Sequence, residues 1–224
     1  MTMQTEDSQT TAPRPKRVRR TGPYKAGDAR REAILEAAIE HFSQWGYFNS
    51  SMPKIAAEVG LTKAGLIHHF GSKEALLSAV LELRDQRAVS AFFAEDFRND
   101  PLRYFRQVAA QAAFNESQPG LTQMFTILAA ESSNEEHPAH EFFRQRYANI
   151  IEHTSALLDK MVAAGTLLPG TDVRQVASEM LAVVDGFTIQ WALAKPPISL
   201  HDTIRNYLDR LAKSITTNGR GLDD

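Results

Sequence analysis

Apolar residues recur at helical spacing along most of the chain. Ile34, Ala38 and Phe42 stand four apart, with Leu35 and Ile39 beside them. Such spacing places them on one helix face, predicted to run from an N-cap at Asp28 to Trp45. Gly46 can end that helix in the left-handed conformation, and Tyr47 and Phe48 are expected to pack under the next turn. A short second helix is predicted from Ser51, whose hydroxyl can cap free N–H groups. Pro53 is tolerated in its first turn. Ile55, Ala56 and Val59 face inward, and Gly60 permits a sharp exit. Thr62 caps a third short helix reaching His69, anchored by Leu66 and Phe70. Ser72 caps a fourth, in which Leu76, Leu77, Val80 and Leu83 carry the apolar face to about residue 94.

The rest repeats the helical period. Helices are predicted near 101–117, 119–132, 138–164, 172–194 and 199–216, separated by Pro101, Pro119-Gly120, Pro138, the stretch from Gly165 to Gly170, and Pro196-Pro197. No segment alternates as a half-buried strand would, so the fold class is all-α. The ends lack this pattern. Residues 1–26 hold Pro13, Pro15, Gly22 and Pro23 around a basic run, and are expected to form a disordered arm. Residues 218–224 are expected to fray.

Charge changes the picture once it is divided. Residues 1–73 carry 11 Lys+Arg against 7 Asp+Glu, a balance of +4, while the remainder carries 14 against 20, a balance of -6. A basic head on an acidic body suits a polyanion partner at one end only. No apolar run reaches membrane-spanning length, and the N-terminus lacks the apolar core of a secretion signal. The chain has no cysteine, which excludes disulfides and thiolate sites and fits a reducing cytoplasm. There is no phosphate-binding glycine loop, nucleophile elbow or paired-histidine zinc motif. His137 and His140 lie near Glu136 and Glu141, but no second ligand cluster accompanies them. No enzyme activity, metal or cofactor is expected.

Two short helices joined at a glycine form a helix-turn-helix, which places its second helix in the major groove of DNA. Thr62, Lys63, Ala64 and Gly65 lie at the end that enters the groove. Lys63 has the reach for guanine O6 and N7 or a phosphate. Lys73 lies in the first turn of the fourth helix, where free N–H groups favour phosphate. Ser51 and Lys54 begin the second helix, facing the other backbone strand. Ser51 and Ser72 also make sense as caps alone. Arg17, Arg19 and Arg20 in the arm are placed to enter a minor groove.

The stretch Ile34–Leu77 resembles the DNA-binding domain of the TetR family of regulators. The match is carried by Phe42, Gly46, Tyr47, Ser50-Ser51, Ile55-Ala56, Gly60-Leu61-Thr62, Leu66, His69-Phe70, Ser72-Lys73-Glu74 and Leu76-Leu77. A looser likeness to effector domains of that family lies in Glu136-His137-Pro138, Phe142-Phe143-Arg144, Tyr147, Ala164-Gly165-Thr166-Leu167 and Asp185-Gly186-Phe187. The resemblance implies a helix-turn-helix domain over 27–75 and a helical ligand-binding and dimerisation domain over 76–217. It adds His68 and His69 as DNA contacts. Ile67 departs from it: the family usually has a tyrosine there that touches the DNA backbone, and isoleucine donates no hydrogen bond.

The resemblance also implies a homodimer on a palindromic DNA operator, with the last two helices pairing as a four-helix bundle. Val176, Met180, Val184 and Phe187 on one helix, and Ile204, Leu208, Leu211 and Ile215 on the other, are its candidates. Filling the protomer core is their alternative role. A small-molecule effector is expected in the body, lined by Phe114, Met124, Phe125, Leu128, Tyr147, Ile151, His153 and Trp191, whose alternative is again the core. The resulting reading is a ligand-responsive transcriptional repressor. The competing reading is a helix-turn-helix protein that acts through a protein partner, or in chromosome organisation, without a small effector.

Overall fold

The computed structural model describes residues 23–92, 102–194 and 197–223, and these are helical nearly throughout. The elements are α1 (Pro23–Asn49), α2 (Met52–Glu58), α3 (Lys63–Phe70), α4 (Lys73–Phe92), α5 (Arg103–Ser117), α6 (Pro119–Glu131), α7 (His140–Ala163), α8 (Val173–Leu193) and α9 (Leu200–Ile215). Arg17, Arg19, Arg20 and most of the arm lie outside the described residues. No described helix is long and apolar enough to cross a membrane.

The first helix begins at Pro23, ahead of the expected Asp28 cap. Proline loses no internal hydrogen bond at a first helical position. Gly46 breaks α1 with φ 67° and ψ -177°, a region open only to glycine. Ser50 steadies the break, its hydroxyl donating to the Gly46 carbonyl at 2.6 Å and the His41 carbonyl at 3.0 Å. Tyr47 is buried there as expected, whereas Phe48 is 58% exposed.

Two apolar cores form. One joins Ile34, Phe42, Ile55, Leu66 and Leu76 of the first four helices to Met124, Phe125 and Leu128 of α6 and Phe143 of α7. The head and body are therefore packed as one block, with α1 lying along α6. The other core joins Phe105, Leu158, Leu167, Val176 and Met180 to the α9 stripe Leu200, Ile204, Leu208 and Ala212.

The C-terminal segment expected to fray is held against the body as far as it is described, through residue 223. Leu222 is buried in the second core. Its carbonyl accepts from Arg106 at 3.0 Å, and its N–H donates to Asp209 at 2.9 Å. One buried leucine and two hydrogen bonds to charged groups hold a polar, glycine-containing segment that has no helical period of its own. Residues 166–168 reinforce this end: Leu168 N–H donates to Ile215 O, and Thr217 N–H to Thr166 O.

Candidate DNA-binding face and effector cavity

The α3 helix is short and divided cleanly into two faces. Leu66 and Phe70 are buried, while Thr62, Lys63, Ala64, His68 and His69 are exposed. Thr62 caps the helix as expected, its Oγ1 accepting from Gly65 N–H at 3.1 Å. The exposed side chains thus project from a helix fixed at both ends: by Thr62, and at Gly71, whose N–H donates to Ile67 O at 2.7 Å. The rings of His68 and His69 meet edge to face at 6.0 Å between centroids, both open to solvent. His69 is therefore no part of the core, although it neighbours Phe70. Ile67 is 39% exposed and apolar on this face.

The flanking contacts are less uniform. Lys54 is exposed on α2, but Ser51 occupies the N-cap position without making a side-chain cap. Its carbonyl accepts from Ile55 N–H instead. Ser51 is therefore not the hydroxyl cap expected of it, and its oxygen is not spent on the helix. Ser72 does cap α4, accepting from Ala75 N–H at 3.1 Å. Lys73 is partly diverted: its ammonium lies 4.4 Å from the Tyr47 ring centroid and donates to Phe48 O at 3.3 Å. Burial lowers its pKa, with Glu74 and Glu131 opposing the shift.

Below the head lies a cavity of about 1180 Å³, walled by α4, α5, α6, α7 and α8. Phe125, Tyr147 and His153 line it, as expected. Phe114, Met124, Leu128, Ile151 and Trp191 do not. Met124 and Leu128 are wholly buried in the first core, and Trp191 packs on the second. These residues share the helical period of the lining, but lie on other faces of their helices. The sequence reading missed most of the polar wall: Arg84, Asp85, Tyr104, Gln111, Asn115, Asn149, Arg146 and Asp185. A search for aromatic and methionine residues passes over all but one of these. The usable signal was a set of charged residues within otherwise apolar helix faces.

The same burial divides the interface candidates. Val176, Met180, Ile204 and Leu208 are buried inside a single protomer and belong to its core. Met180 and Val184 also line the cavity. Val184, Phe187, Leu211 and Ile215 remain partly exposed, alongside Trp191 and Tyr207.

A polar link joins cavity and head. Thr122, Phe125, Thr126 and Ala129 of α6 line the cavity. At the end of the same helix, Glu131 accepts from the Tyr47 N–H at 2.8 Å, at the break in α1. Tyr47 continues the link, its hydroxyl donating to Glu74 at 2.7 Å. Burial and the Glu74 carboxylate together push that phenol well above its ordinary range. His137 packs edge to face on both Tyr47 and Phe48. Its Nδ1 accepts from Ala139 N–H at 3.1 Å, while His140 Nδ1 pairs with Ser132 O. His137 and His140 are thus both engaged in the α6–α7 turn.

A helix-turn-helix head packed onto a helical body that holds a cavity defines the class of one-piece DNA-binding regulators. Residues 34–80 match the family model for bacterial regulatory proteins of the tetR family, and residues 102–213 match the C-terminal domain of BetI-type transcriptional repressors. The chain belongs to the TetR family of DNA-binding transcriptional regulators. It is 30% identical over 192 residues to the regulatory protein RaaS of Mycobacterium tuberculosis, with 84% of each chain covered. It is 27% identical to the regulator BetI of Burkholderia lata, covering 84% of this chain and 96% of that one. In fold it is similar to a regulator from Saccharomonospora viridis solved in complex with choline, with TM-score 0.67 and 20% identity over 84% of this chain and 98% of that one. It is likewise similar to SmeT, repressor of a Stenotrophomonas maltophilia multidrug efflux pump, with TM-score 0.71 and 20% identity over 84% and 91%.

Proposed function

We propose that the protein is a cytoplasmic repressor that binds a palindromic operator as a homodimer and is released by a small molecule entering the cavity. The observation that carries this reading is the α6 helix: it lines the cavity and ends in the Glu131 carboxylate that holds Tyr47 N–H in the head. A ligand that displaces α6 thereby moves α1 and the helix-turn-helix. It releases DNA only if it binds the released arrangement more tightly than the DNA-bound one.

At the operator, Lys63, Ala64, Gly65 and His68 meet base edges, while Ser51, Lys54, Thr62, His69 and Lys73 serve the backbone. Lys73 reaches a phosphate by leaving Phe48 O. Two copies are needed, because a recognition helix of eight residues reads few bases and symmetric half-sites double the contacts. The partly exposed rows Phe187, Trp191, Tyr207, Leu211 and Ile215 supply the dimer face.

The test is binding of the purified protein to DNA flanking its own coding region, followed across salt. Tight, sequence-specific binding with a steep salt slope supports the reading. Binding no tighter than to random DNA counts against it. Specific DNA binding that no compound in a broad metabolite library releases favours the reading through a protein partner.

A further inference from the structure

Five polar side chains from α4, α7 and α8 meet on the cavity wall: Arg84, Asp85, Arg146, Tyr147 and Asp185. Asp85 serves both guanidiniums, accepting from Arg84 Nη1 at 3.0 Å and from Arg146 Nε at 3.1 Å. Asp185 is held by Tyr147, whose hydroxyl donates at 2.7 Å. A guanidinium carries five N–H donors in a rigid fork. Among the described residues, Arg84 directs one nitrogen and Arg146 one nitrogen to protein acceptors. The remaining donors of both forks are unspent on this wall.

The Phe125 ring is already taken. Arg84 Cζ lies 3.9 Å from the Phe125 ring centroid and Arg146 Cζ lies 4.8 Å from it. A ligand ammonium seeking that ring meets two resident cations instead. Nor are the carboxylates bare, since Asp85 and Asp185 both hold donors. Burial pushes Arg84 down to about 10, and the neighbouring Arg146 charge adds to the shift, partly offset by Asp85. A ligand anion meets the open donors of both forks, beyond the share of their charge that Asp85 and Asp185 already offset. Val89, Phe142, Leu157, Leu181 and Ile189 give the cavity an apolar surface for the rest of the ligand.

We infer that the effector carries a carboxylate, bound by the unspent forks of Arg84 and Arg146, on an apolar body lying along Phe142, Leu157, Leu181 and Ile189. The inference rests on the reading of this cavity as the effector site. Paired guanidiniums suit a carboxylate because two N–H donors meet its two oxygens in one plane.

The test compares three probes with one skeleton, 6-phenylhexanoate, 6-phenylhexylamine and 6-phenylhexanol, by calorimetry on the full chain. The carboxylate is expected to bind at least tenfold tighter than either of the others. R146Q should remove that preference. R146K, which keeps the charge without the fork, should weaken it severalfold, and unchanged helicity by circular dichroism shows that both variants fold. Tighter binding of the amine or alcohol overturns the inference, as does a carboxylate that fails to bind at millimolar concentration or keeps its preference in R146Q. T188W, which fills the cavity, separates the two levels. If it abolishes binding of whichever probe binds best, the cavity reading stands even where the carboxylate inference falls. If binding of that probe is unchanged in T188W, the cavity reading falls as well.

Discussion

Gly46 shows how much one residue decides. Its positive φ ends the first stretch of α1, and a Cβ there would collide with the Glu131 carboxylate. G46A is expected to destabilise the fold by at least about 1–2 kcal/mol from the left-handed backbone alone, read as a lowered denaturant midpoint. The glycine was legible in the sequence as a helix terminator; its contact with Glu131, 85 positions later, was not. His137 gives a pH prediction. Burial holds its imidazole below the ordinary 6.5, with Glu131 opposing the shift. The unfolded chain therefore binds the proton first, and stability is lost as pH falls below about 6.5. H137N, whose amide oxygen can still accept from Ala139 N–H, is expected to flatten that loss. Melting temperatures of both proteins between pH 7.5 and 5.5 would check it, and parallel curves would assign the acid sensitivity to other groups.

At the scale of elements, α3 was the most legible. Its cap, both core anchors and its exposed face all follow from eight residues and the glycines around them, because local spacing fixes which face a helix buries. Lys63→Ala is expected to weaken operator binding by about tenfold, in line with about 1–3 kcal/mol for one good base contact. If Lys63 meets only phosphate, binding to random DNA falls by the same factor, and competition assays distinguish the two. Leu66→Ala should cost about 2–5 kcal/mol of stability through the cavity it leaves, with DNA binding lost as a consequence. The basic arm makes an independent prediction. Removing residues 1–22 takes away Arg17, Arg19 and Arg20, and three lost phosphate contacts flatten the salt slope by about 2–3. An unchanged slope would remove the arm from the interface.

At the scale of the whole molecule, the same helices serve three surfaces. α8 gives Val176, Ala177 and Met180 to the core, Asp185 and Thr188 to the cavity, and Phe187 and Trp191 to the outside. Leu211→Glu is expected to place a charge in the proposed dimer face and yield monomers by analytical ultracentrifugation, with operator affinity down by at least about 100-fold. Ile204→Glu, by contrast, buries an unpaired charge in the protomer core and should prevent folding. A dimer that survives Leu211→Glu would move the interface elsewhere on the body.

The sequence by itself determined the helices, the helix-turn-helix and the regulator family, because these rest on spacing within a few turns of chain. It did not determine which apolar helix residues face a cavity, a partner or the core. Met124, Leu128, Ile204 and Leu208 share the spacing of cavity-lining and partly exposed residues, and only the packing of α6 and α9 against their neighbours buries them. Tertiary structure alone also gathered Arg84, Asp85, Arg146 and Asp185 from three helices, laid two guanidiniums on Phe125, and set Glu131 against the break in α1. Each of these depends on how one helix lies across another, and a pattern of residues along a single helix carries no record of that.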